Sequence, residues 1–230
     1  MATTQPYTLQ TLQDQIHTLL EGDPDTPETT DDDWSARLVM VNNAIMSWES
    51  EREANWSELW GTNTSGGTVT AGTTTYSTPS DFKAGGGFVR LVDGDGNYEE
   101  VPVVSPDKAQ LYTDTDKVAY FTGNPASNYS LNLRWTPATG DGLVGRTIQY
   151  DYYKYAEQLA STTDEAEMSD PTYIVYKVVA QVYGQRSNFN MYTVYETMAQ
   201  NALNQMKIAN ATDGAWQDNE IVDVGYGFGL

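Results

Sequence analysis

DDDWSARLVMVNNAIMSWESEREANWSELWG, residues 31–61, followed by TNTSGGTVTAGTTTY, residues 62–76, is the stretch on which the fold turns. In its first part Trp34, Leu38, Val41, Ile45, Trp48, Trp56 and Leu59 recur at helical spacing. They predict one long helix ending at Trp60-Gly61, roughly 40 Å at ~1.5 Å per residue. Asp31, Asp32 and Asp33 offer N-cap oxygens and negative charge where the helix dipole favours it. Beyond Gly61 the period changes: Thr, Ser and Gly fill residues 62–75, and short β-branched or aromatic runs then alternate with turn signals. A helical part thus gives way to a β-rich part within one chain.

Upstream, Leu9, Leu12, Ile16, Leu19 and Leu20 predict a short amphipathic helix from Thr8 to Glu21, with Gly22 as its stop and residues 22–30 as a loop. Downstream, strands are expected over Thr68 to Tyr76, Phe88 to Val92, Tyr98 to Val103, Val118 to Phe121, Tyr129 to Trp135 and Thr147 to Tyr155. Asp93-Gly94-Asp95-Gly96-Asn97 marks a hairpin between the second and third. Helical spacing then returns. Ser169 or Asp170 can cap a helix that has Pro171 in its first turn and carries Ile174, Val178, Val179 and Val182. Gly184 allows a close approach or ends that helix. A last helix, from about Asn190 to Asn210, presents Met191, Val194, Tyr195, Met198, Ala202 and Met206.

The expected fold is α+β. The N- and C-terminal helices, residues 1–61 and 157–211, form an antiparallel bundle, because neither part can cover its apolar stripe alone. An antiparallel β-rich domain, 62–156, is inserted between them, and an extended tail, 212–230, follows.

At 230 residues, 39% hydrophobic and 12% aromatic, the chain can bury a proper core. Lys+Arg 12 against Asp+Glu 32 gives a net charge of -20, which repels a phosphate backbone and argues against sequence-specific nucleic-acid binding. Solubility accounts for at least half of that charge. There is no cysteine, so disulfides, thiolate metal sites and cysteine nucleophiles are excluded. The opening MATTQPYTLQ lacks the basic and apolar regions of a signal peptide, and no apolar run approaches the ~20 residues of a membrane span. A soluble protein made in a cytoplasm is expected, without membrane contact.

Catalytic machinery is nearly absent from the sequence. His17 is the single histidine and lies beside an apolar stripe, so neither a triad nor a multi-histidine metal site can be assembled. Asp93, Asp95 and Asn97 imitate the start of a calcium loop, but Val104 stands where that loop needs its glutamate. Gly85-Gly86-Gly87 precedes a strand and lacks the lysine and hydroxyl of a phosphate loop; it reads as a flexible joint. Glu99 and Glu100 are adjacent on a strand and point to opposite faces. No enzyme activity, cofactor or metal is expected. Tyr150, Tyr152, Tyr153 and Tyr155 could stack on sugars, yet on a strand they divide between two faces.

The chain then ends unusually. From Asp213 it carries Trp216, Ile221, Val222, Val224, Tyr226, Phe228 and Leu230 on a backbone that Gly225, Gly227 and Gly229 keep from forming a helix. Termini without a task are usually polar. Such a strip is built to be buried, either in a partner or back over its own core.

The order of these pieces resembles the head-tail adaptor, or connector, proteins of tailed bacteriophages, which sit beneath the portal ring. The resemblance is carried by Leu9-Gln10-Thr11-Leu12, by the tryptophans near Trp56 and Trp60, and by Thr78-Pro79-Ser80-Asp81-Phe82 followed by Phe88-Val89-Arg90-Leu91. It continues through Ile148-Gln149-Tyr150-Asp151-Tyr152-Tyr153-Lys154-Tyr155 and Leu159 to Asp170-Pro171-Thr172-Tyr173. It implies a virion structural protein at the head-tail junction, assembled in the host cytoplasm as a homo-oligomeric ring, typically of twelve subunits. Its expected partners are the portal above and tail nozzle, tail-tube or fibre proteins below, with DNA passing through and not tightly bound. The tail is then expected to dock on the portal through Trp216, Ile221, Val222, Tyr226, Phe228 and Leu230, since aromatic side chains commonly dominate such interfaces. An acidic channel wall would let the duplex slide, its repulsion screened over ~8 Å at physiological salt. Asp23 to Asp33 and Glu49, Glu51, Glu53 and Glu58 are candidates for that wall, and a solvated outer face fits them equally well. The rival readings are a carbohydrate-binding or adhesive module centred on the β-rich part, and a glycoside-active enzyme using carboxylates.

Overall fold

Thr8 caps the first helix through its side-chain oxygen, which accepts from the Thr11 amide at 3.2 Å, and Gly22 ends it in the left-handed conformation at φ 70. These two residues fix α1 as Leu9–Glu21, with Leu9, Leu12, Ile16 and Leu20 buried. The computed structural model describes residues 7–23, 27–52 and 54–213, and the chain divides there into two compact units. One unit is built from the described residues up to Glu58 and from Ala156 onward, and the other is Leu59–Tyr155. The described residues are α+β, with five α-helices and antiparallel sheets.

In the first unit α2 covers Asp32–Glu49 and buries Trp34, Val41, Ala44, Ile45 and Trp48. It is shorter than the sequence predicts. The chain leaves the helix at Ser50, and Trp56 folds back so that its ring stacks on Trp48 with centroids 5.2 Å apart. Ser57–Leu59 is a single 3-10 turn, and Trp60 already belongs to a strand. Glu51 and Glu58 therefore do not lie on the helix.

The second helical pair is α4, Thr172–Gln185, and α5, Phe189–Asp213. Asp170 starts α4 by accepting from the Thr172 amide at 3.1 Å. α4 packs against α1, α2 and α5 and buries Tyr173, Ile174, Val175, Val178, Val179 and Ala180. A three-residue turn reverses the chain, with Ser187 at φ 59. Gly184 serves the close approach: a Cβ there would stand 3.3 Å from the Tyr192 ring. The segment before α4 is pinned by Asn42, whose side-chain amide donates to the Leu159 carbonyl at 3.0 Å and accepts the Leu159 amide at 2.9 Å.

The second unit has two sheets. β1, Trp60–Asn63, β3, Phe82–Val92, β4, Tyr98–Pro102, and β7, Thr147–Lys154, form a four-stranded antiparallel sheet in the order β1-β7-β3-β4. β2, Thr75–Ser77, β5, Ala119–Asn124, and β6, Asn128–Leu133, form a three-stranded one in the order β2-β6-β5. A short α3, Pro106–Ala109, lies between β4 and β5. Alternation along β7 sends Ile148, Tyr150 and Tyr152 into the core with Val89, Leu91, Val101, Phe121, Leu131 and Leu133.

Two expectations need correction here. Gly85-Gly86-Gly87 is not a joint but part of β3, beside register shifts in its pairing with β7. Most of the strand expected over Thr68 to Tyr76 is loop: only Thr75–Ser77 is paired as a strand, and Thr68 makes one isolated bridge to Thr147.

Candidate interaction surfaces

The groups that could do chemistry are engaged with one another. Nη1 of Arg37 lies 3.1 Å from Nδ1 of His17; a guanidinium has no acceptor, so the imidazole accepts there. Arg37 is 5% exposed, and burial pulls its pKa below the ordinary arginine value, with Asp33 and Glu21 opposing. Glu21 is held below the usual carboxylate range by its hydrogen bond to Arg186, 2.6 Å, and by that residue's charge. Among the described residues no group of three His, Asp or Glu side chains is placed to hold a metal ion.

Asp93 closes the hairpin that the sequence announces. Its Oδ1 accepts the amides of Asp95 at 3.0 Å and Asn97 at 2.9 Å. Desolvation raises its pKa, and the bonds from Asn97 and Asp95 overcome this and leave it lowered. The oxygen a calcium loop would aim at a cation thus shapes the turn instead. Glu99 pairs with Lys117 at 2.8 Å, while Glu100 lies 3.7 Å from Arg90 on the other face, as adjacent strand residues should.

The tyrosines do not form one stacking platform. Tyr150 and Tyr152 are core residues: Asn63 donates to the Tyr150 hydroxyl at 2.9 Å, and the Tyr152 hydroxyl donates to Asp81 at 3.1 Å. Burial first, then the Asp81 carboxylate, pushes the Tyr152 phenol up to about 12. Tyr153 lies on the opposite face, edge-on to Trp60 with centroids 4.8 Å apart.

Among the described residues, apolar surface stays open both on the sheet and along the helices. The outer face of the four-stranded sheet carries Trp60, Phe88 and Tyr98, which are 41%, 41% and 59% exposed. Beside them Arg90 sits between Glu100 and Asp151, 3.7 Å from each, and the Thr62 hydroxyl donates to Asp151 at 2.7 Å. In the helical unit a groove of about 480 Å³ runs between α1, α4 and α5, lined by Leu19, Val175, Tyr176, Val194, Tyr195 and Met198.

This groove is what the sequence pattern concealed. Helical periodicity groups Val194 and Met198 with Ala202 and Met206 as one stripe, yet only the latter two are buried. Val194 is 51% and Met198 37% exposed, and Ala199 and Leu203 fill the core in their place. The portal-docking residues expected from sequence, Trp216, Ile221, Val222, Tyr226, Phe228 and Leu230, lie outside the described residues.

Polar groups that satisfy each other, beside apolar and aromatic surface left open on both units, suit a protein that binds other proteins: the class is a structural interaction protein. The family model for SU10 adaptor protein matches residues 7–222. The chain belongs to this family, a phage head-tail adaptor family, and is on that ground a structural adaptor of the virion. No curated protein matches the chain. The matched region runs into the tail as far as Val222 and stops short of Tyr226, Phe228 and Leu230.

Proposed function

We propose that this adaptor forms a ring, twelve-fold as the resemblance implies, that joins the portal to the tail and borders the DNA channel. In this reading α1, α2, α4 and α5 make an antiparallel bundle as the ring's body, with the β-rich unit inserted in it and available to tail nozzle, tail-tube or fibre proteins. The C-terminal strip docks on the portal through Trp216, Ile221, Val222, Tyr226, Phe228 and Leu230. The observation that carries this is the strip itself: apolar and aromatic side chains placed directly after the long α5 in a chain of net charge -20.

The acids separate on inspection. Glu51 is paired with Lys207 at 2.6 Å, and Glu49 accepts the Ala156 amide at 3.2 Å. Asp31, Asp32 and Asp33 are exposed at the start of α2, where Asp31 accepts the Glu28 amide at 3.0 Å and Asp33 lies 4.0 Å from Arg37, and their exposure makes them the better candidates for a channel wall. The carbohydrate reading loses two of its four tyrosines to the core.

The test mixes the full-length chain, and a version truncated after Thr212, with intact portal ring, and reads mass and negative-stain images. Ring-on-ring complexes formed by the full-length chain alone support the proposal. A full-length chain that stays monomeric and ignores the portal overturns it.

A further inference from the structure

The groove between α1, α4 and α5 presents two adjacent turns of each helix to a ligand. Each helix contributes a pair one turn apart: Asp14 and Thr18, Thr172 and Tyr176, Val194 and Met198. Four residues at ~1.5 Å put the members of each pair ~6 Å apart. Alternate side chains of an extended strand are spaced by ~6.6 Å, so one such strand can set two side chains of the same face against the two turns.

The chain carries a segment with that period. Val222, Val224, Tyr226, Phe228 and Leu230 fall at steps of two, and Gly225, Gly227 and Gly229 alternate with the last of them. In an extended conformation all five apolar side chains would share one face, with Asp223 and the three glycines on the other, so that from Val224 onward the other face has no side-chain bulk. Residues 224–230 hold no charged side chain. The acid at the groove, Asp14, accepts a hydrogen bond from Gln10 at 2.8 Å.

We propose that this groove is the seat of the chain's own Val224–Leu230 strip before assembly, so that the tail rests on its own helical unit until a portal competes for it. The inference rests on the portal reading of the tail and adds its regulation. Reach allows it. From Met198 to Asp213 α5 advances ~22 Å, and the seventeen residues that follow can span up to ~56 Å at ~3.3 Å each. Tethering also favours the chain's own tail over a neighbour's, because a segment attached to the same chain and within reach of a site meets it at roughly millimolar effective concentration while the free protein is far more dilute. A tail seated about nine-tenths of the time lowers apparent portal affinity about tenfold.

Because the chain has no cysteine, engineered thiols report the seat directly. In the full-length chain at micromolar concentration, Val194→Cys with Phe228→Cys should oxidise to an intramolecular disulfide. The rate should be at least tenfold that of a control pair, Val39→Cys with Phe228→Cys, Val39 being 60% exposed on α2, and should not depend on protein concentration. Equal rates for the two pairs overturn the proposal, and so do cross-links between chains that grow with concentration. Blocking the groove with Met198→Glu, or independently with Val194→Glu, should raise portal affinity about tenfold. Unchanged affinity in both variants overturns the seat while leaving portal docking intact. Portal binding that survives truncation after Thr212 defeats the portal reading instead, and the disulfide rates then still decide the seat.

Discussion

The indole N–H of Trp56 donates a 2.8 Å hydrogen bond to the main-chain carbonyl of Trp48, and the two rings stack at an interplanar angle of 27°. The last carbonyls of a helix have no donor within its regular ladder; that of Trp48 accepts the Glu51 amide at 3.2 Å and, from eight residues further on, this shorter bond from the indole as well. Both rings are buried. Trp56→Phe keeps most of the ring but removes the donor and should cost about 1 kcal/mol. Trp56→Ala also opens a cavity and should cost about 3–5 kcal/mol. Urea midpoints should fall in that order, and a Phe variant as stable as the parent would remove the capping role.

That contact also shows where sequence reading stops. An i, i+8 pair of tryptophans is in helical phase whether the chain continues as a helix or turns back on itself, so periodicity alone extended α2 over Trp56 and took Trp60 out of β1. The contrary signal was charge: Glu49, Glu51 and Glu53 crowd the end where the helix dipole disfavours acids. Local chemistry was legible where one residue determines the backbone, as at Gly22 and the Asp93 turn. It was also legible along β7, where a period of two divides the tyrosines. The groove was not legible, because Val194 and Met198 repeat as core residues do and only the packing of three helices leaves them open.

Gly85 lies in β3 against the ring of Phe121, where an added Cβ would stand 2.1 Å from the Cε2 atom. Gly85→Ala should therefore force the ring away and cost about 1–3 kcal/mol. With Phe121→Leu already in place the same change should cost less, by at least about 0.5 kcal/mol in a double-mutant cycle. Strictly additive losses would show that the backbone, not the ring, sets the requirement for glycine.

Stability should fall at both ends of the pH range, through different groups. Tyr152 is raised from 10.0 to about 12, by burial first and then by Asp81. Its contribution is complete below pH 10 and is lost as pH rises toward 12, because the unfolded phenol ionises first. Asp116, Asp141 and Asp164 are lowered from 3.8, chiefly by main-chain amides that donate to them. Their contribution is present above that value and is lost as pH falls through their folded values. Melting temperature followed from pH 9 to 12 should drop less steeply for Tyr152→Phe than for the parent. Parallel curves would assign the alkaline loss to other groups.

Gln13 is fully buried on α1 among Leu9, Leu12 and Ile16, and its Nε2 reaches the Trp34 carbonyl at 3.4 Å. Its Oε1 has no donor among the described residues. A buried acceptor left unpaired costs about 1–3 kcal/mol, more than one long hydrogen bond to the other end of the amide returns. Gln13→Met keeps the length of the side chain and removes both polar atoms, so it should stabilise the helical unit by about 1 kcal/mol. Denaturant titration of the two proteins measures this directly. A loss of stability in the methionine variant would mean that the bond to Trp34 orients α1 against α2 more strongly than its length suggests.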